Sequence, residues 1–173
     1  MAGVAPIDAR PRPFPDLDLD LEGSVLGFFD FVTTTAVNKL AGLTDEQAAV
    51  APLSTSPNVS LLGLLKHLTA VLRQHLQIHI GGEDLPLLWS ADDTEVDFRL
   101  GPGDTVEAVV AAFDEECARS RRTIARTDLD AMVLAYGRPV RAGRLLVDVL
   151  QESARHLGHM DLVREWVDGA KGE

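Results

Sequence analysis

The chain has 173 residues, 46% of them hydrophobic, and a formal net charge of -11 at pH 7. Its length and composition suit one compact domain with a sizeable core and exclude fibrous and collagenous classes. The negative charge makes nucleic acid and anionic membranes unsuitable partners, because both are bound through clustered Lys and Arg. A single cysteine, Cys117, excludes an intrachain disulfide, and the N-terminus lacks the apolar core of a secretory signal, so we expect a cytoplasmic protein.

The N-terminal region is predicted to be an arm followed by two helices. Prolines and alternating Asp and Leu predict an extended surface arm over residues 1–20. Apolar residues then recur every three or four positions, which predicts a first amphipathic helix from Leu21 to a C′ residue at Gly42. Thr44 and Gln47 have the spacing of a capping box and should open a short second helix.

A second long helix is predicted from an N-cap at Asn58 or Ser60 to a pair of glycines. Three histidines lie on it, namely His67, His75 and His79. The last two fall within its apolar arc, one turn apart, whereas His67 lies at the edge of that arc. Spacing alone favours His75 and His79 for a polar cluster in the core. Periodicity does not decide which histidine faces the last helix.

A long loop and a third helix are predicted to follow. Residues 83–103 contain two prolines and a patch of acidic residues, which is typical of an extended connection. Trp89 is expected to pin this loop to the rest of the domain. A capping-box spacing at Asp104 and Glu107 should open the third helix, where Cys117 lies on the apolar stripe as an inert buried thiol.

The last helix is predicted over residues 145–169, and its apolar arc also holds ionisable residues. The apolar members are Leu145, Val149, Met160, Val163 and Trp166, and the ionisable members are Asp148, Glu152, His156 and His159. Ionisable groups on a buried face are unfavourable unless they are paired, hydrogen-bonded or bound to a metal. Glu152 and His156 are one turn apart, so they can reach one metal ion. A buried His–Glu hydrogen-bond network is the alternative, and it is the commoner outcome for such a pair.

These elements predict an all-α fold, a four-helix bundle over residues 21–173, with a long loop between its second and third long helices. The connection of residues 127–143 is predicted to be irregular, and Tyr136 and Arg141 could enter a pocket from it. Metal sites in such bundles are built from inward side chains of facing helices.

Three segments resemble the DinB/YfiT-like superfamily, most closely its actinobacterial branch of proteins similar to mycothiol-dependent maleylpyruvate isomerase and mycothiol S-transferase. They are GLTDEQ (42–47), SLLGLLKHLTAV (60–71) and ESARHLGHMDLVREWVDG (152–169). The resemblance implies a DinB-like bundle, a homodimer, and a divalent metal held by one histidine of the second long helix and a Glu-x-x-x-His pair of the last.

Carried over residue by residue, the implied metal ligands are His67, Glu152 and His156. His159 takes the position of a group that orients a ligand or contacts the substrate. Three features depart from the family pattern. Lys39 is the only basic residue where an arginine is usual, and Asp148 occupies a position where close relatives often have a histidine. The acidic and aromatic residues that usually follow the motif of the second long helix are replaced by Leu72, Arg73, His75 and Leu76.

The leading interpretation is a metal-dependent enzyme that uses a low-molecular-weight thiol such as mycothiol for S-transfer to, or isomerisation of, a small electrophile. Three protein ligands leave coordination positions open, as in catalytic sites. Zinc is the favoured ion, and nickel, iron or manganese also suit the ligand set. His159 and Asp148 are expected to handle a proton. The alternatives are a non-catalytic metal-binding stress-response protein and a metal-dependent hydrolase.

Overall fold

The computed structural model describes residues 7–172, so the beginning of the predicted arm and the last residue lie outside the described part. In chain order the elements are α1 (Leu21–Asn38), α2 (Asp45–Ala48), α3 (Leu61–Leu72), a π-helical segment (Arg73–Ile80), α4 (Val106–Ile124), β1 (Met132–Ala135), β2 (Arg138–Arg141) and α5 (Ala142–Asp168). The predicted all-α class is confirmed, because the described residues are mostly helical and add only a two-stranded hairpin.

The long helices form a bundle in which α3 contacts both α4 and α5, and α1 contacts α5. Its core contains apolar side chains from all four of them, and the largest fully buried ones include Phe29, Leu40, Leu64, Leu65, Leu68, Phe113, Leu145 and Leu146. Burial of each such side chain contributes about 1.5–3 kcal/mol before the entropy cost is subtracted. Among the described residues, no helix is long and apolar enough to cross a bilayer.

Side-chain caps define several helix starts. Thr44 forms the predicted capping box with Gln47, since each side chain accepts a hydrogen bond from the other residue's backbone N–H. Ser60, the second of the two predicted candidates, caps α3. At the start of α4 the cap is Thr105. The side chain of the preceding Asp104 accepts hydrogen bonds from Lys66 Nζ and the Gly101 amide, so it ties the loop to α3.

The described part of the N-terminal arm lies against α1 and α4. Arg10 donates hydrogen bonds of 2.6 and 2.7 Å to both carboxylate oxygens of Asp114. Its backbone N–H donates to Asn38 Oδ1. The ring of Phe14 packs edge-on against Phe28 and Phe31. These contacts hold the arm on the bundle, and the division into arm and domain at residue 20 stays a prediction.

The connection before α5 contains a β-hairpin, and the prediction of an irregular segment was wrong there. β1 and β2 are antiparallel, with Ala135 opposite Arg138, so only Tyr136 and Gly137 form the loop. Each strand has four residues and β2 includes Pro139, which lacks a backbone donor. Strands this short carry too weak a pattern to be recognised from the sequence.

The placement of Trp166 in the core was also wrong, because 65% of its surface is exposed. Viewed down the helix axis, the buried residues of α5 cover an arc of about 100°, with Leu145 and Val163 at one end and Leu146 at the other. Trp166 lies about 60° outside that arc, and the half-buried Asp148, Glu152 and His159 lie along the same edge. The ionisable residues therefore form a stripe at the border of the core, where solvent and ligands can reach them.

The long loop between the π-helical segment and α4 crosses the start of α3 at close range. Trp89 pins it as predicted, with its indole N–H donating to Gln74 Oε1 at 2.8 Å. Gly63 on α3 makes the close approach possible. A Cβ atom there would lie 2.5 Å from the carbonyl oxygen of Asn58 and 2.6 Å from that of Phe98, both of which are backbone atoms.

Replacing Gly63 by alanine should therefore destabilise the fold by about 1–3 kcal/mol, because the added methyl forces the backbone of the loop away from α3. The matched control is Gly158→Ala on α5, where nothing lies within 4 Å of the new Cβ and higher helix propensity should add about 0.5–1 kcal/mol. Urea unfolding of the two variants and the wild type measures both changes. A Gly63→Ala variant as stable as the wild type would contradict this account of the loop.

Candidate metal centre

His67 of α3 meets Glu152 and His156 of α5, and one nitrogen or oxygen atom of each lies within 4.8 Å of the others. His156 Nε2 lies 3.3 Å from Glu152 Oε2. The two helices run antiparallel, because His67 stands beside His156 whereas His75, further along the chain, stands nearer Asp148. The structure thus brings together all three residues that the family resemblance implied as metal ligands.

Asp97 and Phe98 of the long loop hold the ring of His67. Asp97 Oδ2 accepts a hydrogen bond from His67 Nδ1 at 2.8 Å, and the Phe98 ring stacks on the imidazole with centroids 4.1 Å apart. This bond places the proton on Nδ1 and leaves the lone pair of Nε2 free for a ligand interaction. Sequence reasoning missed Asp97, because only the packing of the loop, 30 residues away in sequence, brings it to His67.

His156 is buried at the centre of the group, and its surroundings keep it neutral. Burial is the largest cause that lowers the pKa of His156 to about 3, and repulsion from neighbouring His67, His159 and Arg155 contributes to the same shift. A neutral imidazole is the form that binds metal ions. His159, which is half-buried, lies behind this ring with its Nδ1 3.4 Å from His156 Nδ1. It can therefore orient His156 or exchange a proton near it.

Asp148 lies one helical turn from Glu152, outside the three-residue group. Its carboxylate forms an ion pair with Arg144 on the solvent side of α5. The pairing raises the pKa of Arg144. Asp148 is half-buried, so it borders the site as a fixed negative charge that a ligand can contact.

His75 and His79, which spacing alone favoured, lie further along the polar stripe. His75 is buried as its position on the apolar arc predicted, but it is about 12 Å along the helix from His67. Its Nδ1 donates to the Val71 carbonyl at 2.9 Å, and its Nε2 accepts a hydrogen bond from the Tyr136 hydroxyl at 2.8 Å. The rings of His79 and Tyr136 pack edge-on. These residues form a second polar cluster under the hairpin.

Cys117 takes no part in either cluster, as expected. Its side chain is buried, and burial raises the pKa of the thiol to about 12. The thiol therefore stays protonated and unreactive at neutral pH.

The three-residue group has the chemistry and spacing of a metal centre. Two ligands bound at about 2.1 Å to a tetrahedral ion lie about 3.4 Å apart, close to the 3.3 Å between His156 Nε2 and Glu152 Oε2. Asp97 Oδ1 is buried and has no hydrogen-bond partner among the described residues. A cation on the far side of the His67 ring would balance this buried carboxylate. The residues present therefore fit a divalent ion.

These features define the class as a helical-bundle protein in which a His–Glu–His group can hold a metal ion. A family model for mycothiol-S-transferases matches residues 24–169, and the chain belongs to that family. The resemblance seen in the sequence is thereby confirmed, and membership indicates a mycothiol-related transferase. A comparison with curated proteins found no significant match.

The buried neutral state of His156 predicts a pH dependence of stability in chelator-treated protein. His156 titrates near 6.5 when unfolded and at about 3 when folded, so between these values the unfolded chain binds the additional proton. Stability must then fall as the pH falls below 6.5, and the part due to His156 should reach about 2 kcal/mol at pH 5. Urea unfolding at pH 7 and pH 5 measures the loss.

The control for this prediction is the His156→Gln variant, which should lose less stability over the same pH range. Burial also lowers the pKa of His75 and His79, so part of the dependence persists in the variant and the difference between the two proteins is the relevant quantity. Identical losses in both proteins would show that His156 titrates normally in the fold.

Proposed function

We propose that this protein is a metal-dependent transferase that joins the sulfur of mycothiol, or of a related sugar–cysteine thiol, to a small electrophile. The observation that carries the proposal is the convergence of His67, Glu152 and His156 on one point. Three protein ligands leave coordination positions open for a substrate, as catalytic sites require and closed structural sites do not. Family membership supports the choice of thiol. Thiol-assisted isomerisation of the electrophile is a variant of the same chemistry.

The ligand set suits zinc, which we favour, and it also accepts nickel, iron or manganese. When bound, the ion lowers the pKa of a coordinated thiol so that its sulfur is nucleophilic near neutral pH. The protein residues supply the geometry for this. Asp97 fixes the tautomer of His67, and burial keeps His156 unprotonated. Cytoplasmic location and a homodimer remain predictions from the sequence.

In the proposed reaction the S–H bond of the thiol breaks and a bond forms between sulfur and the electrophilic atom. The electron pair of the bond that breaks in the electrophile departs with a leaving group or, in an addition to a multiple bond, stays on the neighbouring atom, which then takes up a proton. The released proton needs an acceptor beside the reacting atoms. We assign this role to His159, a half-buried imidazole that lies one turn from His156 with its Nδ1 3.4 Å from His156 Nδ1. Asp148 is the second candidate, although its pairing with Arg144 makes it better suited to hold a substrate group or stabilise charge.

The Asp97→Asn variant should bind zinc about 10–100-fold more weakly than the wild type, because an amide holds the His67 ring less firmly and adds no negative charge. Affinity is measured on metal-free protein by competition with a chromogenic chelator. The matched control is Asp93→Asn in the same loop, a half-buried residue whose carboxylate pairs with Arg99.

The control variant should bind zinc as the wild type does, and Glu152→Gln should weaken binding more than either loop variant. Wild-type affinity in both Asp97→Asn and Glu152→Gln would show that the three-residue group is not a metal centre. Far-UV circular dichroism of each variant establishes that the helices are intact.

The His159→Ala variant should retain its metal and lose turnover by about 10²–10⁴-fold, the scale expected for a lost general acid or base. The assay follows consumption of a chromogenic electrophile with mycothiol, bacillithiol, glutathione or cysteine as the thiol. Gln151→Ala, an exposed substitution on the same helix, is the control and should retain full activity.

Wild-type turnover that survives complete removal of the metal would refute the metal-dependent mechanism. No turnover with any thiol would favour the non-catalytic metal-binding alternative. Unchanged turnover in His159→Ala would move the proton-accepting role to Asp148 or solvent.

A further inference from the structure

The tip of the β-hairpin carries a tyrosine where the backbone favours other residues. Tyr136 and Gly137 form the two-residue loop with φ values of 54° and 73°. Loops with two positive φ values usually contain Asn-Gly, Asp-Gly or Gly-Gly, because a side chain such as tyrosine is unfavourable in the left-handed region. Tyr136 is the only non-glycine residue with positive φ in the described chain. Such local conflicts occur most often where a side chain serves a function.

The hydroxyl of Tyr136 is held by a buried histidine 61 residues away in sequence. It donates a 2.8 Å hydrogen bond to His75 Nε2. The opposite ring nitrogen of His75 donates to the Val71 carbonyl, so Nε2 must be the acceptor. The only hydrogen of the hydroxyl is therefore committed, and its oxygen keeps lone pairs that can accept hydrogen bonds from a ligand.

This pair adjoins the polar stripe that leads from the metal centre. His75 is buried, and burial lowers its pKa, while the carboxylates of Asp148 and Glu152 oppose that shift. Asp148 also acts on Tyr136, where it adds to the effect of burial in raising the pKa of the phenol. Tyr136 itself is 55% exposed. Because α5 packs against both the π-helical segment and β2, the two clusters lie beside the same helix, and Asp148 of that helix acts on both His75 and Tyr136.

We propose that Tyr136 and Asp148 form an acceptor subsite for the hydroxyl groups on the sugar part of the thiol cosubstrate, with His75 as the positioning residue behind Tyr136. This inference rests on the proposed function. Along the helix axis, His67 and His75 are about 12 Å apart. A ligand whose sulfur lies at the metal centre must therefore be extended to reach the subsite. A sugar–cysteine conjugate is long enough and rich in hydrogen-bond donors, whereas a simple cysteine derivative is neither.

The test compares two thiols on zinc-loaded full-length protein by isothermal titration calorimetry. Mycothiol carries the sugar, and N-acetylcysteine carries only the thiol end. Tyr136→Phe keeps the ring and removes the acceptor oxygen, so it should weaken mycothiol binding about three- to tenfold and leave N-acetylcysteine binding unchanged. In steady-state assays its KM for mycothiol should rise by the same factor while kcat is retained.

The control is Leu134→Ala, an exposed substitution on β1 of the same hairpin, which should bind both thiols as the wild type does. A second substitution, Asp148→Asn, should also weaken mycothiol selectively. These selective losses are the readout that a purely structural tyrosine would not produce.

Three results would overturn the subsite. Equal weakening of both thiols in Tyr136→Phe would make the tyrosine a structural partner of His75, and unchanged binding of both would remove it from the site. In either case wild-type binding of thiols would leave the proposed function standing. Failure of the zinc-loaded wild type to bind either thiol would instead overturn the proposed function and the subsite together.

Discussion

The desolvation of His156 is the constraint on which the candidate site depends. Burial keeps the imidazole neutral, and its polar ring nitrogens then need partners, which α5 supplies with Glu152 near Nε2 and His159 near Nδ1. The antiparallel packing of α3 then adds His67 to the same point. Burial, which would be unfavourable for a charged histidine, here produces the neutral form that coordinates a metal. Burial is therefore the main cause of the low pKa and keeps His156 in the form that the candidate chemistry needs.

The long loop acts as part of the site and not only as a connection. Asp97 reaches His67 because the loop can lie directly against α3, and it can do so because Gly63 has no side chain at the crossing. Trp89 holds the other end of the loop on the π-helical segment. Helix packing holds the metal ligands, whereas the contacts of the loop hold the supporting carboxylate of Asp97. The orientation of His67 is therefore sensitive to changes in the loop far from it.

The polar stripe of α5 connects the two clusters of the molecule. At one end it provides Glu152, His156 and His159, and at the other it faces His75 and the hairpin tip through Asp148. This arrangement suits a substrate with a sulfur at one end and donor groups at the other. The buried arc of the helix stops short of the stripe, so these residues are supported by the core and still open to ligands.

Local sequence determined the helices, the caps at Thr44 and Ser60, and the Glu152–His156 pair, because each depends on residues within about one helical turn. Local sequence did not determine whether His67 of α3, or His75 or His79 of the π-helical segment, joins the pair. All three lie near one face, and only the register of these segments against α5 selects among them. Resemblance to a family supplied the answer instead. Asp97 at His67 and Tyr136 at His75 were decided by tertiary structure alone. Their contacts span 30 and 61 residues, and no periodic pattern encodes the path by which a loop or a short hairpin returns to a helix.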